Sequence, residues 1–465
     1  TGLAHVAPRV TPVLDPAFRP AILVNQQFRK AVADSGSPQP LIIALEQADG
    51  SVFHFKTAIF PESHPQAFEN ILHVERLVKF LLWARGGWHI HIAGSGSIAS
   101  QLEAHFKATP TGQFDSTLIG EKVYDRPITV VSCTPDALPP EKGSTQPLGR
   151  HLDGCRIGFD LGGSDRKVAA VVDGNVVFSE EIVWDPYHQP DPDYHFNGIM
   201  ESLKKAAAHL PRVDAIGGSA AGVYVNNRVK VASLFRGVPA DVFNRRVKDL
   251  FLEVQRAWNG IPVEVVNDGE VTALAGSMSL KANGVLGIAM GTSLAAGYVT
   301  QDGNITTWLN ELAFAPVDYN PLAPTDEWSG DYGCGVQYFS QQAVGRLIAP
   351  AGIDVDTTLP LPEKLKHVQA LMEKNDPRAR KIYETIGTYL GYTVAHYADF
   401  YDFNHLLILG RVTSGKGGDL IIEGAKQVLA AEFPKIASKV AFHIPDEKDK
   451  RHGQAVAAAS LPSLK

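Results

Sequence analysis

Gly158-Phe159-Asp160-Leu161-Gly162-Gly163-Ser164 carries a hydrophobic strand into a glycine-rich turn, with one carboxylate near the strand's end. Two later stretches share the design: Val266-Asn267-Asp268-Gly269 and Gly287-Ile288-Ala289-Met290-Gly291-Thr292-Ser293. In each, a strand meets a tight turn, so backbone N–H groups, hydroxyls and a carboxylate can face one cleft. That combination points to the handling of nucleotide phosphates and to phosphoryl transfer.

Outward from these turns the sequence repeats itself. Arg156–Leu161 passes through Gly162-Gly163-Ser164 to Lys167–Val172, and Asp173-Gly174 turns the chain into Val176–Val183. Val285–Met290 passes through Gly291-Thr292-Ser293 to Leu294–Val299, and Asp302-Gly303 leads into a predicted strand at Asn304–Trp308. Asp-Gly between apolar runs is a hairpin signal, because glycine tolerates the positive φ of the turn. The repeat predicts two homologous α/β lobes facing each other.

With 465 residues, two or three domains are expected. A net charge of −7 argues against a general nucleic-acid or membrane-surface binder. No apolar run approaches membrane-spanning length and the N-terminus lacks the features of a secretory signal, so a cytoplasmic location is expected. Cys133, Cys155 and Cys334 suit reduced thiols rather than a disulfide framework. The break from Cys133 to Arg150, rich in proline and glycine, reads as a linker. It separates an accessory α/β domain (1–132) from a first lobe (151–282 with 441–465) and a second lobe (283–440).

Asp160-Leu161-Gly162-Gly163-Ser164, Asn267-Asp268 and Met290-Gly291-Thr292-Ser293 occur in the order found in the ROK sugar kinases, which the chain resembles over residues 155–465. These belong to the actin/hexokinase/heat-shock ATPase superfamily. The resemblance implies two ribonuclease-H-like lobes around a cleft, with ATP and Mg²⁺ as cofactors and a small carbohydrate as partner. It also implies that Gly410-Arg411 lies near the adenosine, that Gly222 and Asn267 lie near the sugar, and that the last helix, around His452–Ser460, returns to the first lobe. Arg411, where the family often has glycine, either contacts nucleotide or projects into solvent.

The residues support the same chemistry. The glycines bring backbone donors close to phosphate, Ser164 and Thr292 add hydroxyls, and Asp160 is suited to position Mg²⁺ through water. Asp268 follows the strand Pro262–Val266 and opens a helix with an apolar face of Val271, Leu274, Ala275 and Met278. It can take the proton of an attacking sugar hydroxyl, the role that the resemblance also assigns it. The competing reading makes Asp268 a helix cap and nothing more.

Departures from the family pattern bear on the acceptor. Where a Glu-x-Gly-His segment and a zinc-binding cysteine cluster are expected, the chain has Glu311-Leu312-Ala313-Phe314 and then Glu327–Val336 with Cys334 alone. One thiolate cannot organise a tetrahedral zinc site, so no structural zinc is expected in the protein. Glu311 remains a candidate hydroxyl ligand, and Phe314 and Val336 predict a more apolar pocket.

Residues 1–132 lie outside the resemblance. Leu41–Leu45, Asp49-Gly50, Val52–Ile59, a helix over Phe68–Leu82 and His89–Ala93 parallel the middle of the first lobe, which suggests a degraded third lobe. Gly94-Ser95-Gly96-Ser97 reads as an anion loop or as a plain connection to the helix Ile98–Phe106. His89 and His91 share a strand face, but no third metal ligand is evident beside them. The function expected is ATP-dependent phosphorylation of a sugar or polyol hydroxyl; the alternative is a non-catalytic sugar or nucleotide sensor. Nucleic-acid and membrane partners are not expected, and a homodimer is the assembly considered.

Overall fold

The computed structural model describes residues 2–143, 148–445 and 447–465. Residues 144–147 of the predicted linker and the side chain of His452 lie outside the described residues. Strands β1 (Gln39–Glu46), β2 (Val52–Ile59), β3 (His89–Ala93) and β4 (Thr129–Cys133) form the N-terminal sheet in the order β2-β1-β3-β4. Strand β1 runs antiparallel to both β2 and β3, and β3 runs parallel to β4. Leu41, Ile43 and Leu45 alternate into the core from β1, as period-2 apolar residues must. Helices α1 (Ala21–Asp34), α2 (Glu69–Arg85) and α3 (Gly96–Ala108) accompany the sheet.

The first lobe contains β5 (Cys155–Leu161), β6 (Asp165–Val172), β7 (Asn175–Val183), β8 (Ala215–Ala220), the short hairpin β9 (Val223–Val225) and β10 (Arg228–Val231), and β11 (Val263–Asn267). Its main sheet has the order β11-β8-β5-β6-β7, with β5, β8 and β11 parallel and the β5-β6-β7 meander antiparallel. The Asp173-Gly174 turn has φ of 45° and 81°, the left-handed pair that matches strand twist. Helices α4 (Pro192–Ala207), α5 (Leu250–Ala257) and α6 (Asp268–Leu280) follow.

The second lobe holds β12 (Val285–Met290), β13 (Leu294–Val299), β14 (His405–Leu409) and β15 (Ala441–His443) in the order β13-β12-β14-β15. It also contains the long helices α7 (Pro377–Tyr397) and α8 (Lys416–Glu432). The strand expected at Asn304–Trp308 does not form. Ile305 instead bridges Leu148, while Trp308 stacks on Tyr298 with ring centroids 5.2 Å apart and receives the Arg85 guanidinium at 3.8 Å. These contacts with the linker and α2 override the local strand signal.

The final helix α9 (Glu447–Ala459) returns to the first lobe. A Cβ at Gly158 or Gly217 would fall 1.8 Å or 1.6 Å from the carbonyl oxygens of Ala455 and Ala458. The two glycines therefore let an alanine-rich helix lie directly on the sheet.

One apolar core runs from the N-terminal region into the second lobe, while the first lobe has a separate core. Phe18 packs 4.8 Å from Tyr389, and Phe80 stacks 4.1 Å from Phe400. Helix α2 also brings a buried ionic network. Arg76 and Lys79 reach Asp331 at 2.7 Å and 3.0 Å, and Lys79 reaches Asp115 at 3.1 Å. The cations hold the Asp331 carboxyl well below the usual range despite burial. Asp331 lies in Glu327–Val336, so ion pairs from α2 tie down the segment where the resemblance implied a cysteine cluster. Cys334 is buried beside it, its thiol pushed up to about 12 by burial. Among the described residues, no helix is long and apolar enough to cross a membrane.

Candidate active site

Parallel pairing sets Asp160 level with Ser219 and Ser219 level with Val266. The carboxyl ends of β5, β8 and β11 thus deliver Asp160, Ser219 and Asn267-Asp268 to one edge, where open α/β sheets bind ligands. Asn267 caps α6: its Oδ1 accepts the Gly269 N–H at 2.8 Å, and its Nδ2 donates to the Gly222 carbonyl at 2.6 Å. Gly222 has φ of 129°, and a Cβ there would lie 2.4 Å from the Val231 carbonyl oxygen, so the turn itself requires glycine. Capping therefore belongs to Asn267, and Asp268 is the first helical residue. Its Oδ1 accepts the adjacent Gly269 N–H, at 3.0 Å. Its carbonyl accepts bonds from Thr272 Oγ1 at 2.7 Å and from Gln454 Nε2 of α9 at 3.2 Å, while Gln454 also donates to Ser219 Oγ at 3.1 Å.

Burial raises the pKa of Asp268. Burial also pushes Asp160 up to about 6, with a further push from the Asp268 charge, against a hydrogen bond from Ser219. Glu311 is pushed up to about 7 by burial and then by Asp268. Three residues bear on this site that the sequence did not single out. Glu270 is pushed up to about 8 by burial, although it accepts hydrogen bonds from the Asn310 side chain at 2.5 Å and the Tyr298 N–H at 3.2 Å. Glu264 is raised to about 7 by burial. Lys167 stands directly across from Asp160 on β6, and its positive charge opposes the rise in the Asp160 pKa. Glu264, Glu270 and Lys167 carry no motif signal; only strand register and helix periodicity bring them here.

The two glycine turns differ in what covers their backbone. Gly162 N–H is bound to the Asp165 carbonyl at 2.9 Å, and the Gly162 carbonyl accepts the Trp184 indole at 2.8 Å. Tyr187 covers Gly163, since a Cβ there would meet its hydroxyl at 2.2 Å; Arg236 stacks on that ring at 3.6 Å. Ser164 is exposed. In the second turn, Gly291 N–H is bound to the Ser293 carbonyl at 3.0 Å, and Thr292 and Ser293 are exposed. A Cβ at Gly291 would meet nothing nearer than 3.7 Å, and its φ is not positive, so the fold gives no reason for glycine there. Gly410 is different: φ is 96° and a Cβ would lie 2.4 Å from the Met290 carbonyl oxygen. Arg411 is exposed and its carbonyl accepts from Gln369 at 2.7 Å.

Beside Asn267 lies a cavity of about 190 Å³ walled by all three regions. Its lining includes Tyr224, Glu264 and Glu270, Trp308 of the second lobe, and Gln47 and Asp49 of the N-terminal hairpin. Thr307 Oγ1 lies 3.4 Å from both Gln47 Oε1 and Asp49 Oδ2. Phe314 and Val336 are not in this lining. Phe314 packs 4.5 Å from Trp83 and 5.5 Å from Phe114, and Val336 is buried in the core. The expectation that they make the pocket apolar is therefore corrected: both side chains are consumed in packing, and the cavity is lined by carboxylates and hydroxyls as well as rings.

No model of a known protein family matches the sequence. No curated protein matches it. Solved structures do. A ROK hexokinase from Thermus thermophilus is 17% identical, with a TM-score of 0.51, covering 66% of this chain and 96% of that one. A ROK family transcriptional regulator, a homologue of the E. coli MLC protein, is 21% identical, with a TM-score of 0.50, covering 67% and 79%. The chain has a ROK-type α/β fold. That fold is shared by a hexokinase and a regulator, so the chemistry has to be argued from the site.

Proposed function

We propose that the chain is an ATP- and Mg²⁺-dependent kinase that phosphorylates a hydroxyl of a sugar or sugar-like polyol. The observation that carries this reading is Asp268: a half-buried carboxylate at the strand-to-helix junction, beside the Asn267 cap and held through its own backbone carbonyl by Thr272 and Gln454. Its raised pKa brings it toward the range useful to a general base. Asp160 has the hard oxygen that Mg²⁺ prefers, reached through water, and Lys167 can balance phosphate charge. Gly162, Gly163, Ser164, Gly291, Thr292 and Ser293 would hold the phosphates, and Gly410-Arg411 would border the nucleoside. Gly222, Asn267 and Glu311, now joined by Glu264 and Glu270, would meet the acceptor. A carboxylate-rich pocket suits a partner with several hydroxyl donors.

A second reading, a sensor that binds sugar without phosphoryl transfer, has one specific observation in its favour. The N-terminal hairpin enters the acceptor side of the cleft, and Phe314 packs inward where the resemblance implied the histidine of a Glu-x-Gly-His segment. A screen of sugars, amino sugars and polyols for acceptor-dependent ADP release separates the two. Turnover with one acceptor supports the kinase; binding of sugars with no transfer to any of them supports the sensor.

A further inference from the structure

We propose that Glu46, His89 and His91 form a divalent transition-metal site of the zinc type on the open face of the N-terminal sheet. His89 and His91 lie two apart on β3, so their side chains leave the same face, and β1 places Glu46 directly opposite His89. This supplies the third ligand that the sequence did not reveal. The ligand atoms of the three residues all lie within 4.8 Å of one another. His91 Nε2 is 3.2 Å from Glu46 Oε2. Two ligands on a tetrahedral zinc ion with bonds of about 2.0–2.1 Å stand about 3.3–3.4 Å apart, so this pair is already at ligand spacing. The imidazole rings are 4.3 Å apart and nearly perpendicular, at 76°.

Support extends beyond the three ligands. Thr129 Oγ1 on β4 hydrogen-bonds His89 Nδ1, and Trp88 stacks on the ring at 5.0 Å. An oxygen partner on one ring nitrogen fixes the tautomer and aims the other, the arrangement usual behind metal-bound histidines. His54, in the same face row beyond Ala44, is tied to the Pro139 carbonyl at 2.7 Å and is not a ligand. Side-chain exposure of 32% for Glu46 and 14% for His91 leaves an entry path and an open position for water. A bare histidine–glutamate ion pair explains only His91 and Glu46; it leaves unexplained why His89 is oriented by Thr129 beside them.

The test uses the full chain, stripped with chelator and dialysed against Zn²⁺, with bound metal read by elemental analysis. About one zinc per chain is expected. His89→Ala and Glu46→Gln should each weaken binding at least about tenfold, and Thr129→Val, which touches no metal, about 10- to 100-fold. Cys334→Ser should leave it unchanged. Co²⁺ in place of zinc should give ligand-field absorption without a thiolate charge-transfer band. Glu46→Gln preserves side-chain shape, so it decides the matter if His89→Ala does not fold, with circular dichroism as the check. Absence of stoichiometric zinc in the unmodified chain overturns the proposal, as does full zinc retention in folded Glu46→Gln, or zinc loss in Cys334→Ser.

Discussion

Replacing Asp268 with asparagine separates chemistry from architecture because the two roles fall on different residues. The helix cap is Asn267, and the two side-chain bonds that fix residue 268, from Thr272 Oγ1 and Gln454 Nε2, run to its backbone carbonyl and survive the change. Asparagine keeps the size and one carbonyl oxygen for Gly269. Loss of the base is expected to reduce phosphoryl transfer on the order of 10²–10⁴-fold, which is about 3–5 kcal/mol of transition-state stabilisation. Stability should move the other way. The folded pKa of Asp268 lies above its unfolded value because burial penalises the charge. Its ionisation therefore costs stability as pH rises above the unfolded pKa, and a side chain that never ionises avoids that cost. Asp268→Asn should melt at or above the unmodified protein at pH 8 and close to it near pH 4. The assay is single-turnover transfer from ATP to the best acceptor of the screen, with a melting curve at each pH. Full transfer by Asp268→Asn would remove the proposed base. A large fall in melting temperature at pH 8 would mean that the carboxylate is structural.

Gly291→Val should leave the melting temperature nearly unchanged, since its Cβ direction is open, yet weaken ATP binding at least about tenfold by calorimetry; Gly163→Val, which meets Tyr187, should lose stability as well. Glu264, Glu270 and Glu311, raised to about 7, 8 and 7, bind protons in the folded state that they lack when unfolded between about pH 4.5 and 8. Their contribution to stability is full below that window and is lost as pH rises through it, so scanning calorimetry should show a falling melting temperature, flattened in Glu270→Gln. Asp331→Ala leaves Arg76 and Lys79 buried without their shared partner and should cost about 3–5 kcal/mol in urea unfolding. Gln47→Ala with Asp49→Ala removes cavity-lining groups and should raise KM for the acceptor while leaving that for ATP within about twofold; equal effects on both would detach the hairpin from acceptor binding.

What the sequence revealed was local. The strands around Asp160 and Met290, the left-handed Asp173-Gly174 turn and the helix beginning at Asp268 each follow from neighbours in the chain, and each is present. The site was legible as far as its turns extend. Asn267 and Asp268 were indistinguishable as caps because both side chains can reach a free N–H; both accept the Gly269 N–H, and only the helix boundary puts Asn267 in the capping position. Glu264 and Glu270 carry no turn or glycine signature, and their desolvation depends on what the other lobe and Asn310 place over them. Trp308 shows the reverse case, in which a sound hairpin signal yields to stacking on Tyr298 and Arg85. Glu46 joins His89 and His91 through strand pairing between segments far apart in sequence, which no local pattern encodes.

The N-terminal sheet has a topology that explains what it lacks. Its order, β2-β1-β3-β4, is that of the first lobe, β7-β6-β5-β8-β11, with the strand equivalent to β5 left out. The directions agree: β1 is antiparallel to β3, as β6 is to β8 across β5. Strand β5 is the one that carries Asp160 and feeds the Gly162–Ser164 turn, so a sheet without it has no place for a phosphate turn. We infer that residues 1–132 are a lobe that lost its first strand. Gly94-Ser95 then reads as a connection: Gly94 has φ of 116° with the Pro40 carbonyl 2.2 Å from a Cβ, and Ser95 Oγ is spent accepting the Ile98 N–H at 3.2 Å. The region keeps its hairpin, Asp49-Gly50, where the first lobe has Asp173-Gly174. The core of this region is continuous with that of the second lobe. Its ion pair with the first lobe, Lys230 to Asp125 at 2.6 Å, lies toward solvent on the Asp125 side. In the proposed kinase, Gln47 and Asp49 of this hairpin, which line the cavity beside Asn267, would wall the acceptor side of the cleft.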